Sequence, residues 1–158
     1  MTRLALIVLP LAASLPATAQ SGQGSATLSV SVEVVPNCTV SAAPLSLNPR
    51  QAQPSEAAAD IVIACGPDEP FTVALDQGGH ASGATRRAYD AVTGRYLAYD
   101  IYRDPGRSQR WSDGPDGVVS GITNAFGRAL FKAYGAMPAD QDLMAGNYSD
   151  QVVVTVNF

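Results

Sequence analysis

Residues 25–35, SATLSVSVEVV, set apolar side chains at Ala26, Leu28, Val30, Val32 and Val34 with polar ones between them as far as Glu33. A strand turns successive side chains to opposite faces, so this period of two predicts an extended segment with one buried face and one wet face. Gly22 and Gly24, with Ser21 and Ser25, leave its start pliable. The segment therefore reads as an arm, residues 20–35, and the open question is whose core its apolar row enters.

Upstream, MTRLALIVLPLAASLPATAQ carries Arg3 as its only charge, an apolar run broken by Pro10, and small residues at Ala17 and Ala19. This is the pattern of a secretory signal peptide, residues 1–19, cleaved after Ala19. Neither this run nor any later one reaches the roughly 20 apolar residues a spanning helix needs. Export without stable membrane insertion is expected.

Without Arg3, nine Lys and Arg side chains face fourteen Asp and Glu. That balance repels phosphate backbones and anionic lipid, so nucleic acid is not an expected partner. Lys132 is the one lysine, and Arg86, Arg87, Arg95, Arg103, Arg107 and Arg110 stand among aspartates, which predicts a solvated mixed-charge face. Two cysteines, Cys38 and Cys65, in an exported chain predict one disulfide. Closing such a loop stabilises by about 3 to 4 kcal/mol on the chain-entropy view.

Past the arm, Cys38 and Val40 lead to Leu45 and Leu47, with Pro44 predicting an interrupted or edge strand. Residues 49–59 show no steady apolar period and read as a connection. DIVIAC and FTVALD alternate on either side of Gly66, Pro67 and Asp68, which predicts a hairpin. QGGHASGATRR reads as a glycine-rich loop, followed by strands in RYLAYDIY, in GVVSGI and from Ala129 to Tyr134. One helical turn fits the pattern near 139–144. The chain closes on NYSDQVVVTVNF, where Tyr148, Val152, Val154, Val156 and Phe158 keep one parity to the last residue. Short strands at this spacing predict an all-β antiparallel sandwich in one domain, residues 36–158.

Chemistry is sparse. His80, the only histidine, lies in the glycine-rich loop, and its plain reading is a solvated side chain. With no GxSxG, a serine triad has little support. Asp76, Asp90, Asp100, Asp104, Asp113, Asp116, Asp140 and Asp142 offer no spacing that marks a glycosidase pair. SDGPDG lacks the ligand series of a calcium loop and reads as a tight turn. Trp111 and the tyrosines at 89, 96, 99 and 102 read as packing residues rather than a sugar platform. No catalytic, cofactor or metal site is expected, and the chain does not read as an enzyme.

In combination, NCTVSAAPLSL, CGPDEPFTVALDQG, LAYDIYRDPGRSQRWSDG and YGAMPADQDLMAGNYSDQVVVTVNF, in that order after an alternating arm, resemble the spore coat protein U domain family of Csu-type archaic chaperone-usher pilus subunits. The departures are Leu47, Asn48 and Pro49 where the family often has an aromatic residue and glycine, and Asp140 where a glycine is common. The resemblance implies an immunoglobulin-like sandwich that lacks its last strand. A donor strand in trans, here Ala26, Leu28, Val30, Val32 and Val34, would complete it. It also implies an acceptor groove walled by the C-terminal strand, with Val152, Val154, Val156 and Phe158 serving first a periplasmic chaperone and then a neighbouring pilus subunit, under an outer-membrane usher. The expected location is the cell surface, reached through the periplasm. A self-complemented secreted binding module and a spore-coat or matrix protein are the alternatives.

Overall fold

The computed structural model describes residues 29–32, 37–50 and 53–158. Ser29 to Val32 form no strand and are exposed, while residues 37–50 and 53–158 belong to one compact unit, the body. Ala26, Leu28, Val34 and the expected signal peptide lie outside the described residues.

Among the described residues the body has eight strands: β1 Thr39–Ala42, β2 Ser55–Ala64, β3 Pro70–Leu75, β4 Arg86–Asp90, β5 Arg95–Tyr102, β6 Val119–Ile122, β7 Arg128–Met137 and β8 Val154–Asn157. They form a five-stranded sheet in the order β1-β2-β7-β5-β4 and a three-stranded sheet in the order β6-β3-β8. All six strand pairings are antiparallel. No helix occurs among the described residues, including 139–144. The alternation read from the sequence is visible in the core, where Ile61 and Ile63, Phe71, Val73 and Leu75, and Leu97, Tyr99 and Ile101 are buried. The two sheets press these faces together as an antiparallel β-sandwich.

Three local expectations are corrected. The DIVIAC and FTVALD strands do not pair as a hairpin: β2 pairs with β1 and β7, and β3 with β6 and β8. Both strands have an apolar face, and placing them in opposite sheets lets those faces meet. Thr123, almost fully buried, pins the crossing turn by donating to Gly66 O at 2.6 Å and accepting from Glu69 N at 2.8 Å. The supposed connection 49–59 is partly strand, because β2 begins at Ser55 and pairs with β7 from Met137 onward. Its alanines weaken the sequence signal, but the ladder holds them. Arg86 is no part of a solvated face, being 0% exposed.

That buried arginine is fully engaged. Its Nε donates to Asp76 O at 2.9 Å, Nη1 to Asp100 Oδ1 at 2.7 Å, and Nη2 to Asp76 O at 2.6 Å and Trp111 O at 2.8 Å. Arg110 Nε lies 2.6 Å from the other oxygen of Asp100. With a further bond from Nη2 to Leu75 O at 3.2 Å, this guanidinium, five donors in a fixed fork, ties three carbonyls and a carboxylate together. Trp111 packs beside it, fully buried, with its indole N–H on Val73 O at 3.1 Å.

Cys38 and Cys65 form the expected disulfide, their Cα atoms 4.2 Å apart. β1 is an edge strand that ends before Pro44, as the proline predicts.

Candidate functional site

Five strands face three, and the narrower sheet leaves part of the wider one uncovered. Among the described residues β8 pairs only with β3 and β1 only with β2, so each has one edge without a described partner. Val40 shows the consequence. It is paired with the fully buried Ile63 and shares its face, yet stays 43% exposed.

A groove of about 920 Å³ opens between the sheets. Its floor includes Ala59, Ile61, Ala88, Leu97, Ile101 and Ala133 of the five-stranded sheet. Leu75, Val152 and Val154 form the opposing wall, and Leu45 and Leu47 one flank. The alanines in the floor stand where larger side chains would fill the space. Gly135, buried in β7, lets Leu45 lie directly on it: a Cβ there would come within 2.5 Å of Leu45 Cδ2.

The wall is held in place by two aspartates. Asp76 Oδ1 accepts from Gly78 N and Val153 N, each at 2.9 Å. Asp150 accepts from Tyr99 Oη at 2.7 Å, from His80 N at 3.1 Å and meets the His80 ring at 3.1 Å. Burial first, and then the Asp150 carboxylate, hold the Tyr99 hydroxyl well above the usual tyrosine range. His80 is thus not a plain solvated loop residue: its ring also lies 5.2 Å from that of Tyr89. Backbone bonds from Asp76 N to Val153 O and from Gly79 N to Gln151 O extend the β3–β8 pairing beyond the strand ends.

Of the residues read from the sequence as groove wall, Val152 and Val154 line the groove. Val156 packs against the core outside it, and Phe158, 57% exposed, borders a separate hollow with Phe71 and Ile122. Leu45, Leu47, Leu75 and Leu143 also line the groove but were not singled out. The alternation of Leu45 and Leu47 was a visible signal, although nothing in one sequence says which cavity an edge segment borders.

Among the described residues, no group of three or more His, Cys, Asp or Glu side chains is gathered to hold a metal. A groove of this kind, beside a strand edge and floored by apolar side chains, has the chemistry that an added strand uses elsewhere: backbone groups for a ladder and apolar surface for alternate side chains.

A family model, Spore Coat Protein U domain, matches residues 24–155. No curated protein sequence matches the chain. Among solved structures, the chain is similar to a CsuC-CsuE chaperone-tip adhesion subunit pre-assembly complex from archaic chaperone-usher Csu pili of Acinetobacter baumannii. The TM-score is 0.60 at 23% identity, over 79% of this chain and 40% of that one. A chaperone-tip adhesin complex of CFA/I fimbriae matches at TM-score 0.45 and 9% identity, over 74% of this chain and 40% of that one. The likeness to the Csu complex establishes the fold as an immunoglobulin-like antiparallel sandwich.

Proposed function

The chain belongs to the Spore Coat Protein U domain family, and from that premise we propose that it is a structural subunit of a cell-surface pilus, assembled by donor-strand exchange rather than acting as an enzyme. The observation that carries this reading is the groove between the sheets, floored by apolar side chains of the five-stranded sheet and walled by Leu75, Val152 and Val154 beside β8. It is joined by an alternating arm whose Val30 and Val32 are 77% and 82% exposed. A periplasmic chaperone lends a strand to the groove first; at an outer-membrane usher, the arm of a neighbouring subunit replaces it. The donor residues are Ala26, Leu28, Val30, Val32 and Val34, and Val152 and Val154 belong to the accepting wall.

Each of Leu28, Val30, Val32 and Val34 gains about 1.5 to 3 kcal/mol on burial, before ordering costs. Their sum suits a long-lived joint without a covalent bond. An open apolar groove beside a free strand edge invites aggregation, which gives the chaperone a physical role.

The test compares the full mature chain with one lacking residues 20–35, each exported with the cognate chaperone, on an unboiled denaturing gel and by size exclusion. Ladders from the full chain, absent after truncation while the chaperone complex persists, are expected. A lone folded monomer that melts only when the arm is removed would mean that the strand completes its own domain, and the pilus reading fails.

A further inference from the structure

Both ends of the body meet at one pole of the sandwich. Asn37 and Cys38 precede β1, which pairs Thr39 with Ala64 at the end of β2. β8 ends beside the start of β3, with Asn157 opposite Thr72, and Ile122 of β6 faces Pro70. This pole also carries the turn Thr123–Gly127, whose tip is Phe126, 88% exposed.

Phe126 is held out rather than left loose. Asn124 Oδ1 accepts from Phe126 N at 2.9 Å and from Arg128 N at 3.0 Å, while Gly127 N donates to Asn124 O at 2.8 Å. Gly127 is bonded through its carbonyl to Cys65 N at 2.9 Å, and a Cβ at Gly127 would come within 2.2 Å of Cys65 O. Cys65 is in turn disulfide-bonded to Cys38. A braced turn thus keeps a bare aromatic ring beside the point where the arm joins the body. Ile122 and Phe158 extend the exposed apolar surface, bordering a shallow hollow of about 840 Å³. Rigid, exposed aromatic residues next to apolar neighbours are the usual anchors of protein interfaces.

The opposite pole carries an apolar set of its own. Val92, 94% exposed, tips the turn between β4 and β5, and Met144 is exposed in the segment after β7.

Resting on the donor-strand reading above, we propose that the Phe126 pole docks on the Val92 and Met144 pole of a second copy of this chain, the copy that receives its arm. A donor added antiparallel to β8, as every strand pair here is, runs from the acceptor's Phe158 end toward its Val92 end. It therefore emerges at the Val92 pole. Only Val35 and Pro36 separate the last donor residue, Val34, from Asn37. The three Cα-to-Cα steps from Val34 to Asn37 span about 11 Å at most, so the donor's Phe126 pole is held close against the acceptor's far pole. The contact joins unlike surfaces, and repetition of such a head-to-tail contact builds a filament.

The test uses fibres of the full mature chain made with its chaperone and usher, carrying Phe126→p-benzoylphenylalanine. Ultraviolet light is expected to give covalent dimers whose cross-links map to Ala91–Gly94 or Pro138–Asn147 of another copy, and to give none when residues 20–35 are deleted. Phe126→Asp, at an exposed position, is expected to leave the chaperone complex intact and to lower fibre yield several-fold. Cross-links that map elsewhere, only to the chaperone or to a different protein, or their absence from well-formed fibres, overturn the proposal. Failure of the pilus reading looks different: the unmodified chain then gives no arm-dependent ladder at all.

Discussion

The interior of this sandwich is finished at one side and open at the other. Around Trp111, the rings of Phe71 and Phe131 meet at 5.8 Å, Trp111 and Phe131 at 6.0 Å, and Arg86 donates to the carbonyls of Leu75, Asp76 and Trp111 and to Asp100. Around Ala59, Ala88 and Ala133 the same two sheets leave a groove of about 920 Å³. Protein interiors are normally packed like organic crystals, with few voids larger than a water molecule. The contrast teaches that the closed side is packed from this chain's own residues, while the open side, on the proposed reading, is completed by another chain.

The hardest test of the closed side is Arg86→Met, which leaves the Asp100 carboxylate and the carbonyls of Leu75, Asp76 and Trp111 without their shared donor. A loss of about 3 to 5 kcal/mol is expected in urea unfolding. A near-neutral result would show that the closed side does not depend on this polar centre.

A paired truncation compares the two sides directly. Ile63→Ala, at a fully buried site, is expected to cost about 2 to 5 kcal/mol. Leu45→Ala, on the flank of the groove, is expected to cost about 1 kcal/mol or less, because that side chain already borders open space. A synthetic peptide of residues 24–35 at saturating concentration is expected to raise the cost of Leu45→Ala and not that of Ile63→Ala. Equal costs in its absence would break the comparison.

The smallest effect concerns the wall. Tyr99→Phe removes the bond to Asp150, an expected loss of about 1 kcal/mol at neutral pH. Because the folded state holds the Tyr99 proton more tightly than the unfolded one, its contribution is full below the ordinary value of 10.0 and is lost as pH rises above it. Urea unfolding from about pH 9 to about pH 11 is expected to show the gap between wild type and variant closing. A gap that stays constant would mean that the hydroxyl does not couple to folding.

Much of this was legible. Ile61, Ile63, Val73 and Leu75 announced buried strand faces, Trp111 read as a packing residue, and the cysteine pair read as a disulfide. Arg86 was not legible, since an arginine among aspartates reads as surface until the fold brings three carbonyls around it. The same holds for His80, whose partner Asp150 stands 70 residues away. β2 and β3 looked like a hairpin because short-range rules see only the turn between them, and both outcomes leave the turn residues alike.

The sequence alone determined which faces are apolar, where strands are broken and which residues form an alternating arm, because these follow from local periodicity and backbone chemistry. Only the tertiary structure decided that five strands oppose three, that β8 and β1 stand at the edges of their sheets among the described residues, and that alanines floor a groove while aromatic rings close the other side. Sheet membership depends on which distant strands find each other. That choice is made by burial summed over the whole body, a quantity no local stretch contains.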